Sequence, residues 1–289
     1  MMRTLAEFTM RGRMYAMLMV LVGSVIPPLA LFTPAAISLV TLRKGWQEGI
    51  LLSVAAVVLM AALFSVNNVG AFVLYVSTGT VFVAFSVAAI LRYTVSWQAT
   101  LAALVACSML VSIVASLAVE NPLESLLSSY QVVLDQQPAE VKAEMEAALQ
   151  GINAKTLAGA IAFSTCVFTL LGLLLGRLWQ AVLYNPGGLR EELHMLRLSM
   201  PLAMACMLGY FYCQWAGEHY LYWQMLFLMP PVVAALGFVH WFVAAKSLGR
   251  APLVVLYLAL PLIGVFLALI GLSDVWIDYR KRFNLQPKG

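Results

Sequence analysis

Long runs without a charged residue alternate with short polar segments along almost the whole chain. The charge-free runs cover residues 14–42, 50–91, 93–119, 156–176, 198–217, 220–245 and 251–273. Because one transmembrane helix needs about 20 such residues, each run is long enough to cross a bilayer. Run 50–91 has the length of two spans and is interrupted by Asn67-Asn68-Val69-Gly70, which indicates a tight turn between them.

The first run is too long for one ordinary span, and Pro27, Pro28 and Pro34 lie in its middle. Proline removes a backbone donor and clashes with the preceding helical turn. We therefore predict a short helical hairpin, with helices over about 13–25 and 29–42 and a proline-rich tip. A single kinked span over this run is the alternative.

These patterns predict an all-α polytopic membrane protein with about nine transmembrane helices, or eight if 13–42 is one kinked span. Residues 1–184 would form a six-helix region with an outer amphipathic insertion at about 120–155. Residues 185–289 would add three helices and end in an interfacial segment. Composition agrees, since 63% of the 289 residues are hydrophobic and 10% are charged, whereas soluble domains have roughly 45–50% and about 25%.

The basic residues predict the orientation, because cytoplasmic loops carry an excess of Lys and Arg. Nine spans with a cytoplasmic N-terminus put eleven basic residues inside and six outside. The inner set is Arg3, Arg11, Arg13, Arg43, Lys44, Arg92, Arg177, Arg190, Arg197, Lys246 and Arg250, and the outer set is Lys142, Lys155, Arg280, Lys281, Arg282 and Lys288. This arrangement places the base triplet near the C-terminus on the outer side.

The longest polar segment carries a further helical pattern. Pro138 is suited to a first helical turn and Gly151 to a helix end. Between them, Val141, Met145 and Leu149 recur every four residues and form one apolar stripe. We predict an amphipathic helix of the outer insertion, which either covers the spans or forms a lid over an outward-facing pocket.

The sequence contains no motif of a known catalytic or metal site. Nucleophile, zinc-protease, P-loop and dinucleotide-binding patterns are absent from it, so we expect neither an enzyme nor a bound cofactor. The four cysteines form no Cys-x-x-Cys pair, which argues against a metal site; they are Cys107, Cys166, Cys206 and Cys213. Loop bases explain the net charge of +4, so the expected partner is the lipid bilayer and no nucleic acid is expected.

Two sets of residues are candidates for ligand binding. The polar set is Asn67, Asn68, Ser77, Thr78, Thr80, Gln98 and Asn121, and the aromatic set in "GYFYCQWAGEHYLYWQ", residues 209–224, includes Tyr212, Trp215 and Tyr222. An aromatic belt at the membrane surface would explain the second set. The alternative is a stacking surface for a flat or apolar ligand, or for a partner helix.

The stretch "LFTPAAISLVTLRKGWQEGILLSV" resembles the second and third helices of the vitamin-binding S components of energy-coupling-factor transporters. It has an early proline, the basic turn Arg43-Lys44-Gly45, and Gly49 at the start of the next helix. The resemblance implies a front half of six helices, with both ends cytoplasmic and a ligand pocket toward the outer face.

The whole chain resembles the YybS-like family of bacterial inner-membrane proteins, whose biochemical function is not established. The residues that carry this resemblance are Arg43, Lys44, Gly45, Gly271, Asp274, Asp278 and Arg280, the last four within "GLSDVWIDYRKRF". It implies a multi-pass protein of the bacterial inner membrane and supplies no substrate. The long outer insertion departs from the S-component pattern.

The motif "GLSDVWIDYRKRF" also has a direct physical interpretation. In a helix, Asp274 and Asp278 share a face with Lys281 and Arg282, and Trp276, Tyr279 and Phe283 form a neighbouring aromatic face. This pattern, which also includes Arg280, is typical of an interfacial anchor where a helix leaves the bilayer. A metal or catalytic carboxylate pair is the alternative.

Two classes of function therefore remain open. In the first, the front six helices build an outward-facing pocket that binds a small molecule or helps to transport it. In the second, the protein is a scaffold or assembly factor that recognises other membrane proteins through the aromatic loop and the C-terminal helix. Polar residues converging from several spans would favour the first class.

The predicted orientation can be tested with two single cysteines in a cysteine-free background. Ala143→Cys and Glu191→Cys should be labelled from opposite sides of the membrane by a thiol reagent that does not cross it. Labelling of both positions from the same side would contradict the predicted arrangement.

Overall fold

The structure is a computed structural model that describes residues 2–67, 69–135, 138, 140–144 and 152–283. Most of these residues are helical, and no β-strand occurs among them. The prediction of an all-α fold is therefore confirmed.

Thirteen α-helices are labelled here in chain order. They are α1 (Met2–Met10), α2 (Arg13–Val25), α3 (Phe32–Lys44), α4 (Trp46–Val66), α5 (Ala71–Thr94), α6 (Trp97–Ala118), α7 (Pro122–Asp135), α8 (Ala154–Tyr184), α9 (Gly188–Met195), α10 (Met200–Ala216), α11 (Leu221–Ala245), α12 (Ala251–Ile277) and α13 (Tyr279–Phe283). Short 3₁₀ turns over Pro27–Leu29 and Glu218–Tyr220 precede α3 and α11.

Within the described part of the chain, six helices are long and apolar enough to cross a membrane: α4, α5, α6, α8, α11 and α12. A seventh span is possible if α9 and α10, which meet at a bend of 71°, are counted together. The apolar helices thus suggest a multi-pass membrane protein, but the predicted count of nine spans is not confirmed.

The hairpin of α2 and α3 accounts for two of the predicted spans that are missing from this count. Two separate helices pack against each other here, as the prolines predicted, and the hydroxyl of Thr33 donates to the carbonyl of Val20 at 3.2 Å. Each helix has 13 residues, so each is only about 20 Å long. Since the hydrocarbon core of a bilayer is about 30 Å thick, neither helix is long enough to cross it alone.

Helix α3 occupies the centre of the bundle, and every residue from 33 to 42 is buried. Glycines allow its neighbours to approach closely. A Cβ atom on Gly176 of α8 would lie 2.7 Å from the carbonyl oxygen of Ala35, and one on Gly49 of α4 would lie 2.2 Å from the hydroxyl of Thr41. Such small-residue contacts are typical of helices that associate within membranes.

The two ends of the bundle are held together in different ways. At one end, Arg13 donates to Glu48 at 2.9 Å and the Trp97 indole donates to Glu192 at 3.0 Å. This end, with segments 43–48, 92–97 and 185–199, is called the base-rich end below. The opposite end, with segments 67–70, 118–122 and 152–155, is called the base-poor end.

Helix α7 packs at the base-poor end, beside the start of α5. The backbone N–H of Gly70 donates to the hydroxyl of Ser129 at 2.8 Å, and that of Phe72 donates to the hydroxyl of Ser125 at 3.2 Å. These hydroxyls satisfy N–H groups that have no acceptor within α5. The sequence reasoning missed α7. Of the helix that was predicted from Pro138 to Gly151, residues 140–144 are helical, Pro138 itself is not helical, and the other residues lie outside the described part of the chain.

The packing of α8 on α3 can be tested by adding one methyl group. Gly176→Ala should lower the free energy of unfolding by about 1–3 kcal/mol, because the added Cβ meets the backbone of α3 rather than a side chain that can move. Gly264→Ala is the matched control, since a Cβ there has no neighbour within 4 Å. Unfolding in detergent micelles measures both. Equal stability of the two variants would contradict the proposed close approach.

Candidate functional site

A cavity of about 590 Å³ lies beside the tip of the α2–α3 hairpin and is called the hairpin cavity below. Residues from α4, α5 and α8 complete its wall, including Phe64, Phe163 and Phe168. Its volume falls in the range of small-molecule sites, roughly 300–1,000 Å³. It lies toward the base-poor end, because its lining comes from the last part of α4 and the first part of α5.

The short hairpin explains why this space exists. Helices α2 and α3 fill the centre of the bundle from the base-rich end, and their chain turns back at Pro27–Leu29. The longer helices α4, α5 and α8 continue past that turn. Irregular backbone at membrane depth is tolerated where it lines a cavity or is buried in protein.

The polar groups that line the cavity are hydroxyls: Ser24, Thr33, Ser77, Thr80, Ser164 and Thr165. Thr80 donates to the carbonyl of Val76 at 2.8 Å, and Ser164 donates to that of Ile161 at 3.0 Å. A hydroxyl has one donor and two acceptor lone pairs. Because the donors of Thr80 and Ser164 are used within their own helices, these two hydroxyls can still accept hydrogen bonds from a ligand.

No charged side chain lines this cavity in the part of the chain that the structure describes. An isolated charge is costly to bury in such surroundings. The arrangement therefore suits an uncharged, largely apolar molecule with a hydrogen-bond donor.

The predicted polar residues are only partly brought together. Ser77 and Thr80 line the cavity, whereas Asn67 is exposed and donates to the carbonyl of Leu63 at 2.7 Å. Gln98, in the first turn of α6, lies about 36 Å from Asn67, because the 24 residues of α5 separate them. Asn67 and Gln98 therefore do not share one pocket, and Asn68 lies outside the described residues.

The predicted aromatic residues lie on the surface at the turn between α10 and α11. Trp215 is 84% exposed, and the ring of Tyr212 lies 6.3 Å from the rings of both Trp215 and Tyr220. Tyr222 is also exposed. These residues do not line the hairpin cavity, so an aromatic belt and a stacking surface both remain predictions.

The C-terminal motif is held against the bundle by charged groups. Helix α12 ends at Ile277 because Asp278 has a left-handed backbone, with φ of 51°. Asp274 is 3% exposed and accepts from Arg280 at 2.6 Å and from the backbone N–H of Tyr279 at 2.9 Å. The two acids and the bases therefore do not lie on one continuous helix, although each acid is neutralised.

Two arginines bind the end of α12 to the α9–α10 connector, and we call this arrangement the arginine clamp. Arg280 donates to the carbonyls of His194 and Leu196 at 2.8 and 2.9 Å. Arg197 donates to the carbonyl of Asp274 at 2.9 Å and to the carboxylate of Asp278 at 2.7 Å. Carbonyls at helix ends lack intrahelical partners, so the clamp stabilises the ends of both α9 and α12.

The clamp corrects the predicted position of the base triplet. Arg280 contacts the connector that includes Arg197, so the triplet begins at the base-rich end and the prediction that it lies on the opposite side is wrong. Trp276 is 49% exposed. The Tyr279 ring instead packs 5.4 Å from the Phe238 ring of α11. Although burial alone would raise the pKa of Asp278, hydrogen bonds from Lys281 and the charge of Arg197 hold it below its ordinary value.

Within the described ranges, no group of three or more His, Cys, Asp or Glu side chains is placed to hold a metal ion. The fold and its cavity define the class: an all-helical bundle whose long apolar helices suggest a multi-pass membrane protein. Comparisons with protein-family models, with curated proteins and with solved structures found no match.

The arginine clamp makes a prediction about stability. Asp274→Ala should lower the free energy of unfolding by about 3–5 kcal/mol, because removing one partner of a buried ion pair leaves Arg280 uncompensated. Glu7→Ala removes the exposed pair with Arg3 and should have little effect. Thermal unfolding in detergent compares the two. An Asp274→Ala protein as stable as Glu7→Ala would contradict a stabilising clamp.

Proposed function

We propose that this protein is an integral membrane protein that binds a small, uncharged and largely apolar molecule in the hairpin cavity. The observation that carries the proposal is the cavity itself, about 590 Å³ in volume and lined by hydroxyls and apolar side chains. Three aromatic rings in its wall can pack against a flat or aliphatic ligand. The hydroxyls select a ligand with an O–H or N–H group, since their lone pairs are free to accept.

Entry from the outer side is part of this proposal. The cavity lies toward the base-poor end, and the excess of Lys and Arg at the opposite end favours a cytoplasmic position for that end. The resemblance of the segment around Arg43-Lys44-Gly45 to S components supports the same direction of binding. From the resemblance of the whole chain to the YybS-like family we also propose a bacterial inner membrane as the location. The proposed partners are the lipid bilayer and other membrane proteins.

A scaffold function is the second candidate, and one observation favours it. Helix α12 leaves most of its apolar surface exposed, with Leu258 78% and Leu262 84% exposed. Lipid or another membrane protein would contact this surface. The hairpin cavity has no role in a scaffold, so the two candidates predict different effects of filling it.

The ligand proposal can be tested by filling the cavity with one large side chain. Ser164→Phe should greatly reduce the amount of any small molecule that co-purifies with the protein, because its ring occupies the cavity. Ser65→Phe is the control, since Ser65 lies outside the cavity lining but, like Ser164, is exposed and donates to a carbonyl of its own helix. Native mass spectrometry of gently purified protein, followed by extraction, measures what is retained.

The two variants must be equally stable for the comparison to count, and thermal unfolding establishes that. A retained molecule that Ser164→Phe and Ser65→Phe release to the same extent would not be bound in the cavity. Wild-type protein that retains no small molecule, and that no uncharged compound in a screen stabilises, would overturn the proposal in favour of the scaffold.

A further inference from the structure

A second cavity of about 470 Å³ lies at the base-rich end, between α8, α9 and α11. Its apolar wall includes Leu178 and Val182 of α8 and Leu193 of α9. Its polar wall consists of Arg190, His194 and His240. No acidic side chain lines it in the described residues, so its chemistry differs from that of the hairpin cavity.

The polar wall has hydrogen-bonding and charged groups that no described residue of the protein pairs with. Arg190 and His194 are four residues apart on α9, so they share one helix face. His194 is only 9% exposed, and no hydrogen bond joins its ring to another described residue. Arg190 is exposed and forms no ion pair within the described part of the chain. An imidazole that lines a cavity without a protein partner can form a hydrogen bond with a ligand.

The start of α9 adds to this polar wall, in which Arg190 is the charged side chain. Gly187, with a left-handed φ of 91°, and Leu189 line the same cavity. The first N–H groups of a helix have no intrahelical acceptor and carry the positive end of the helix dipole. The positive end of the α9 dipole, a guanidinium and an imidazole therefore line one cavity, which is a chemistry that suits phosphate.

We propose that this second cavity binds the phosphate of an anionic phospholipid, with an acyl chain against Leu178 and Val182. The apolar wall favours a lipid over free phosphate, which would leave that wall in contact with water. The location agrees, because α8 ends here and basic pockets near helix ends receive headgroups. The absence of an acidic lining residue favours an anionic headgroup over one that carries choline. This site is independent of the hairpin cavity.

The test compares two lipids with identical acyl chains, phosphatidylglycerol and phosphatidylcholine, added to delipidated protein in neutral detergent. Phosphatidylglycerol should raise the Tm of the wild type by several degrees more than phosphatidylcholine. Arg190→Gln should lose at least half of that difference. Arg250→Gln should keep it, since Arg250 is an exposed arginine after α11 that lies outside the cavity. Native mass spectrometry should show one phosphatidylglycerol retained by the wild type.

Three results would overturn the proposal. The first is an equal Tm shift by both lipids, with no preference for phosphatidylglycerol in native mass spectra; this comparison needs only the wild type and stands if Arg190→Gln does not fold. The second is an equal loss in Arg190→Gln and Arg250→Gln, which would indicate general surface charge. The third is a full Tm shift by inorganic phosphate alone, which would assign the site to a soluble anion.

Discussion

The close approach of α3 to its neighbours is the contact on which the rest of the structure depends. Apolar burial drives helix association only weakly where lipid is the solvent, so packing of small residues replaces it. Ten consecutive residues of α3 are buried, and Gly49 and Gly176 bring α4 and α8 against its backbone. A larger residue at either position would move α3 from the centre. The hairpin tip, and the cavity beside it, would then lose their position.

Sequence reasoning found the hairpin because prolines act locally on the backbone. Its first helix, Arg13–Val25, has the bounds that were predicted, and its tip lies at the predicted prolines. The number of spans could not be predicted from the sequence, since an apolar run of 29 residues is compatible with two spans or with a short hairpin. Only tertiary packing distinguishes these, and the same packing creates the cavity. Because the cavity depends on this packing, the residues predicted to bind a ligand included Ser77 and Thr80 of its lining but not Ser164 and Thr165.

The C-terminal motif illustrates a second limit of local rules. Spacings of three and four residues correctly indicated that bases would neutralise Asp274 and Asp278. They correctly indicated Lys281, which lies 3.1 Å from Asp278. They did not indicate Arg280, which pairs with Asp274, or Arg197, which comes from a connector 81 residues earlier in the chain. Asp278 also ends the helix in a left-handed conformation. Short polar residues adopt this conformation more readily than most. An acid followed by a base triplet, without a glycine, gave no clear signal that the helix would stop there.

Charged groups lie at the end of the bundle, whereas hydroxyl groups lie deeper along the helices, where burying a charge would cost more. The clamp pairs charges at the base-rich end, where Arg197 and Lys281 remain partly exposed, so full desolvation is avoided. The hairpin cavity lies deeper along the helices and contains hydroxyls, of which Thr80 and Ser164 donate to carbonyls of their own helices. Because burying a hydroxyl costs far less than burying an ion, an uncharged site is the one that a deep cavity can maintain when empty. A site for a charged headgroup belongs at the end of the bundle, where Arg190 lies in contact with solvent.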